Sequence, residues 1–276
     1  MALYIPSNIS SLQAQNSLAG TQHALSSNFQ KLSSGYRINS AADDAAGLGI
    51  SESLRAQVRS FYVAERNTNN AISMSQTAEA ALGQVSGILV RMRELAVQGS
   101  NGDLASTDRG YLDTEFSSLK AEVDRIAASS KFNGKDLLAG AASTIDFQVG
   151  IDNTANDRIS VVFGNVSLTT LGINGSSVSG ATATNAQAAI TAIDTAISSV
   201  STRRADFGAI MNRLQTTVAN VQSIRTNLSA ANSRIRDVDV AEETASMARN
   251  QVLAQAGAAM LAQANQAPQM ALSLLR

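Results

Sequence analysis

Histidine and cysteine carry most nucleophilic and metal chemistry near neutral pH, and this 276-residue chain has one His, at position 23, and no Cys. A zinc centre of two or three imidazoles is excluded, as are a disulfide framework and a thiolate site. A histidine-dependent triad would rest on His23 alone, which lies in a Gln/Asn/Ser-rich stretch and reads as a solvated or packed surface residue. Asp237, Asp239, Glu242 and Glu243 offer the oxygen ligands of a hard cation site, but the helix dipole and capping equally favour acids at a helix start. Asp43 and Asp44 have the same explanation. Gly47-Leu48-Gly49 lacks the third glycine and the preceding strand of a phosphate-cradling loop. Carboxylates spread over helix surfaces have no evident pocket to split their pKa values for acid/base work. The residues therefore predict no catalytic group, no cofactor, no metal and no enzyme.

The elements that carry these groups are long helices. The only prolines are Pro6 and Pro268, so nothing between them stops a helix by proline. Aromatics are 4% and Trp is absent, which suits an elongated Ala-rich assembly better than a large globular core. A net charge of -1 and a pI near 5.9 supply no footprint for nucleic acid and no basic patch for a membrane surface. The N-terminus lacks the basic and apolar regions of a cleavable signal, and no apolar run reaches the roughly 18 residues of a membrane span. The expectation is a soluble protein, or one that leaves the cell by a route these signals do not report.

The pattern predicts a mainly α fold: a long antiparallel coiled-coil bundle with a small β-hairpin. Residues 1–40 read as an N-terminal inner helix, with Leu18, Leu25 and Leu32 at seven-residue spacing. Ser40 and Asp43 then resemble a capping box. In residues 41–142, Leu54, Val58, Phe61, Glu65, Thr68, Ile72, Ser75, Glu79, Leu82, Ser86 and Leu89 step by four and three. That seam has polar interruptions, so it is expected at the edge of an interface rather than in a dry core. A second stripe, Ala81, Val85, Ile88, Met92 and Leu95, runs beside it, and Leu112, Phe116, Leu119, Val123 and Ile126 mark a helix that folds back.

Residues 143–184 read as a hairpin followed by a short, exposed, variable loop. Ile145, Phe147 and Val149 alternate, as do Ile159, Val161 and Phe163, and Gly, Ser and Thr dominate from 164 on. Residues 185–236 give a further seam from Ile193 to Leu228, with Arg204 and Arg225 within it. These arginines either fix register by pairing with Glu65 or Glu79, or lie at the seam's edge with packed stems and hydrated heads.

Residues 237–276 read as a C-terminal inner helix containing Leu253, Met260, Leu261 and Leu272. Residues 1–40 carry only Lys31 and Arg37 as full charges and residues 250–275 carry none; both stretches are weakly apolar, and alone bury too little to offset about 1 to 2 kcal/mol of chain entropy per residue. They are expected to order when many copies pack together.

Six segments together resemble bacterial flagellin over nearly the whole chain. They are LSSGYRINSAADDAAGLGISESLRAQVRSF (residues 32–61), RMRELAVQ (91–98), KFNGKDLL (131–138), FQVG (147–150), SRIRDVDVAEE (233–243) and MLAQANQAPQMALSLL (260–275). The outer domains that many flagellins carry after FQVG are reduced to a short loop. The resemblance implies a secreted subunit, exported unfolded through the flagellar export apparatus with an export chaperone. It would fold beneath a filament cap into an extracellular helical homopolymer joined to hook-filament junction proteins. It also implies a surface for the vertebrate Toll-like flagellin receptor at Arg91, Leu95 and Glu115, weakened by Val90 where that surface usually has Gln, although subunit packing suits the same residues. The competing readings are a hook-filament junction protein and a coiled-coil adaptor or signalling module.

Overall fold

The computed structural model describes residues 8–273, with side chains from residue 8 to residue 266. Among them, helix α1 (Ile9–Ser34) opens on Asn8, whose side chain accepts the Ser11 amide hydrogen, and closes on Gly35 at φ 74°. Helix α2 (Ala45–Gly99) starts four residues later than a capping box at Ser40 and Asp43 would place it. Asp44 Oδ1 accepts the Gly47 N–H at 2.8 Å and caps it. Asp43 instead closes the preceding turn, accepting from the backbone N–H and hydroxyl of Ser40, contacts that hold its carboxyl below the ordinary carboxylate range.

The chain divides into two compact units. One joins the residues up to Val58 with those from Thr226 on, and the other is Arg59–Arg225. In the second, α2 shares one core with α3 (Ser106–Ser129) and α4 (Thr184–Arg236), and α2 and α4 each have residues in both units. The buried line of α2 is Ala64, Thr68, Ala71, Ser75, Ala78, Leu82, Val85, Leu89, Met92 and Ala96. It keeps the step of four and three but is offset from the predicted seam at every second position, because alanines, not Glu65, Ile72 and Glu79, fill the holes. Thr68 and Ser75 lie in this dry core, 0% exposed, contrary to the edge position expected for them. Their hydroxyls donate to Ala64 O and Ala71 O one turn back, so no polar atom is orphaned. On α4, Ile193, Val200, Phe207, Leu214 and Val221 are buried at the predicted seven-residue spacing, and Phe116 and Val123 anchor α3.

Glu79 and Glu65 occupy the seam's edge and pair with the seam arginines. Arg204 donates to Glu79 Oε1 from Nε at 3.1 Å and from Nη2 at 2.8 Å, while Arg225 Nη1 lies 2.8 Å from Glu65 Oε2 and its guanidinium 5.7 Å from the Tyr62 ring. Register pairing and edge position thus coincide. Arg204→Ala is expected to cost less than about 1 kcal/mol, because the pair is hydrated. Arg225→Ala is expected to cost about 1 to 2 kcal/mol, because Glu65, 15% exposed, loses its counter-charge. Urea midpoints at low and high salt check both values, and an unchanged Arg204→Ala would leave that arginine no part in register.

Strands β1 (Lys131–Phe132) and β2 (Lys135–Asp136) close over Asn133-Gly134, both at positive φ as a tight hairpin turn requires. β3 (Ser143–Gln148) and β4 (Arg158–Phe163) form the predicted hairpin, with Ile145 opposite Val161 and Phe147 opposite Ile159. β4 buries Ile159, Val161 and Phe163, and Phe163 meets Phe207 of α4 at 5.5 Å.

The segment after β4 corrects the expectation of an exposed loop. Val166, Leu168, Leu171, Ile173 and Val178 are buried in the same core as α2, α3 and α4. Outward polar groups of α3 grip its backbone: Asp124 accepts from Leu168 N, Asp113 from Val178 N, and Lys120 donates to Asn174 O and Ser176 O. The small residues between these anchors are turns of a packed segment.

In the first unit the connections α1–α2 and α4–α5 lie side by side, where α5 is Val240–Ser273. Arg37 N donates to Arg236 O at 2.7 Å and Val238 N to Gly35 O at 3.1 Å. Arg236 stacks 4.5 Å over Tyr36 and donates to Glu52 Oε1 at 2.7 Å, a bond that lowers the Glu52 pKa.

Candidate assembly interface

α1 and α5 pack antiparallel, the start of α1 against the last part of α5 whose side chains are described. Asn8 Nδ2 donates to Ala264 O at 2.8 Å, Ser11 Oγ to Asn265 Oδ1 at 2.7 Å, and Asn250 Nδ2 to Asn28 Oδ1 at 2.7 Å. Asn28 also donates to the Glu243 carboxylate. The facing residues repeat every seven: Ser11, Leu18, Leu25 and Leu32 with Ala14, Thr21 and Asn28 on α1, and Met247, Ala254 and Leu261 with Glu243, Asn250, Gly257 and Ala264 on α5. Gly257 receives the Leu18 side chain, since a Cβ there would sit 3.3 Å from Leu18 Cδ1.

This seam buries few large side chains, and only half-buries Leu18, Leu25, Leu32 and Leu261. Full burial of a leucine is worth about 1.5 to 3 kcal/mol, which does not match the ordering cost of two long helices. Apolar groups remain on the outside: Ile9, Leu12, Phe29, Val252, Leu253 and Met260 are exposed. The predicted stripe therefore separates into two sets. Leu18, Leu25, Leu32 and Leu261 join α1 to α5, while Leu253 and Met260 point away from that pair. Leu272 lies outside the residues whose side chains are described. The polar members Ser11, Asn28, Asn250 and Asn265 were not read from the sequence, although their helical spacing was the available signal: Ser11 and Asn250 stand seven residues from Leu18 and Gly257, and Asn28 and Asn265 three and four from Leu25 and Leu261.

The surface read at Arg91, Leu95 and Glu115 is brought together in part. Arg91 Nε donates to Glu115 Oε1 at 2.9 Å and Nη1 to Glu94 Oε2 at 2.8 Å, and the Glu115 bond is the main cause of the raised Arg91 pKa. Leu95 lies in the core at 1% exposed.

The remaining polar candidates serve local structure. Asp239 Oδ1 accepts from Ala241 N and Glu242 N at the start of α5, Asp237 accepts from Ser233 Oγ, and Glu243 is held by Asn28. Gly47-Leu48-Gly49 lies within the first turns of α2, and His23 is exposed on α1. Among the described residues no three His, Cys, Asp or Glu side chains converge as a metal site requires. An open groove of about 660 Å³ between β4 and α4 is lined by Arg158, Arg213, Asn156, Asn212 and Thr216, groups that bring no carboxylate pair or nucleophile and base together. What the molecule presents is helix surface.

A family model described as the bacterial flagellin N-terminal helical region matches residues 5–143, and one described as the bacterial flagellin C-terminal helical region matches residues 190–275. The flagellar filament 33 kDa core protein of Treponema phagedenis is 41% identical over 290 residues, covering 99% of this chain and 100% of that protein. The flagellin of Halalkalibacterium halodurans is 47% identical over 247 residues, 90% of each chain. That of Bacillus subtilis is 41% identical over 301 residues, 98% of each.

Proposed function

The chain belongs to the bacterial flagellin family, a structural subunit of the flagellar filament and not an enzyme, and from that premise we propose that its two terminal helices are the part that orders as copies pack. The single observation that carries this reading is the α1–α5 pair, whose own seam is too thin to hold it and whose outward Ile9, Leu12, Leu253 and Met260 lack cover. Self-association follows from the family. A neighbouring copy supplies that cover, and the firmly packed unit Arg59–Arg225 is carried along as a folded block.

The finer partners and the location belong to the same proposal. The subunit is secreted through the flagellar export apparatus with an export chaperone, assembled under a filament cap beyond the hook-filament junction proteins, and resides outside the cell. The near absence of charge in residues 1–40 and 250–275 supports passage of an unfolded chain followed by close packing. Recognition by the vertebrate Toll-like flagellin receptor is carried by Arg91 and Glu115, which are exposed and joined to each other. Leu95 would have to act from beneath them.

Electron microscopy of the purified chain, incubated with short filament seeds beside an unseeded control, tests the assembly reading. Long filaments with a narrow central channel are expected, and persistent monomers or short rings would overturn it.

A further inference from the structure

We infer that two polar clusters, Ser11–Asn265 near one end of the α1–α5 pair and Asn28–Asn250–Glu243 towards the other, select the register in which these helices meet. The inference rests on the reading that this pair forms as the filament assembles. The two buried residues of α1 are both polar, Ser11 at 6% and Asn28 at 8% exposed, and each is bonded to a side chain of α5. The leucines beside them are only half-buried.

The apolar part of the seam cannot choose a register by itself. Leucine recurs every seven residues on α1, so sliding α5 by seven sets Leu18 opposite Ala264 in place of Gly257 and keeps the leucines on the seam. The two polar clusters as a set do not repeat in that way, although Glu243 and Asn250 are themselves seven apart. A slide in one direction carries Ser11 from Asn265 to Ala258, and a slide in the other brings Gly257 to the place of Asn250 and Asn250 to that of Glu243, so Asn28 keeps one side-chain partner instead of two and Glu243 loses its donor. Each error leaves a buried donor or acceptor unmatched, which costs more than the correct bond contributes. Only one register satisfies both clusters, the role that a single polar core residue plays in two-stranded coiled coils. In a growing polymer this excludes shifted pairs, including pairs between α1 of one copy and α5 of another.

The chain has no cysteine, so introduced pairs report register without background. Leu18→Cys with Gly257→Cys reports the observed register, and Leu18→Cys with Ala264→Cys a slip of seven. Both pairs are to be oxidised in filaments of the parent and of a variant carrying Ser11→Ala, Asn28→Leu, Asn250→Leu and Asn265→Ala, and intrachain disulfides scored on gels. In the parent the first pair is expected to link at least about tenfold more than the second. In the variant the second pair is expected to rise to within about threefold of the first. A variant that keeps the parent's pattern would overturn the inference. So would a variant in which neither pair links, since the polar groups would then hold the pair together rather than choose its register. A second variant, Ser11→Asn with Asn265→Ser, keeps the donor and acceptor and is expected to retain the parent pattern. A parent that forms no filaments would refute the assembly reading instead.

Discussion

Deletion of residues 252–276 leaves a soluble, helical monomer that forms no filaments, seeded or unseeded. The truncation removes Ala254, Gly257, Leu261, Ala264 and Asn265, so the first half of α1, with Ser11, Ala14 and Leu18, loses every seam partner. Asn28 keeps Asn250 and Glu243, but that remnant is too short to offset about 1 to 2 kcal/mol of backbone entropy for each residue it orders. The core of Arg59–Arg225 contains none of the deleted residues. Circular dichroism should therefore show a loss of helix smaller than the terminal helices represent in the filament, with one cooperative thermal transition retained. Sedimentation should show a monomer, and the particles should not elongate added seeds. Filaments from the truncated chain would remove the terminal helices from the assembly role. Loss of the cooperative transition would instead make the second unit dependent on the ends.

The sequence made the helices legible because their buried columns are periodic, but it showed only the columns filled by large residues. Leu82, Leu89, Val200, Phe207 and Leu214 are where the pattern put them. The companion column on α2 runs through Ala64, Ala71 and Ala78, and alanine carries no apolar signal against an Ala-rich background. Thr68 and Ser75 misled for a related reason: a hydroxyl that bonds to its own helix one turn back is a small core residue in disguise. The segment after β4 was misread because its anchors are sparse in sequence, and the α3 groups that hold it, Asp113, Lys120 and Asp124, look like ordinary surface charges until the chain folds over them. At the ends, the leucines pointed to the interface, while the polar residues that occupy its most buried positions in α1, Ser11 and Asn28, carry no apolar signal in a Ser/Gln/Asn-rich stretch.

Arg109→Met lowers the melting temperature of the second unit by about 6 to 12 °C, the largest single-residue effect expected outside the apolar core. Arg109 stands in the first turns of α3, 3% exposed, and forms no ion pair among the described residues. Its guanidinium donates to three backbone carbonyls: Gly99 O from Nε at 2.9 Å, Asn101 O from Nη2 at 2.8 Å and Ala181 O from Nη1 at 3.3 Å. Gly99 is the last residue of α2, so the cation meets the negative end of that helix as well as its unpaired carbonyl. The same glycine lets the packed segment close over the helix end, because a Cβ there would lie 2.2 Å from Val178 Cγ1. Replacing a buried ion pair by apolar side chains is often neutral, since both charges leave together. Here the acceptors belong to the backbone and stay behind. Three shared bonds to a charged donor, discounted because they are not additive and because water reaches part of the site, come to about 3 kcal/mol. For a unit of this size each kcal/mol shifts the midpoint by about 2 to 4 °C. Arg109→Lys keeps the charge but lacks the planar fork that spans three acceptors, so it should recover less than about half of the loss. Differential scanning calorimetry measures the shift, and limited proteolysis should find the segment around Ala181 cut sooner in the Met variant. A Met variant melting within about 1 °C of the parent would show that the three carbonyls find other partners and that Arg109 does not hold this end of the unit together.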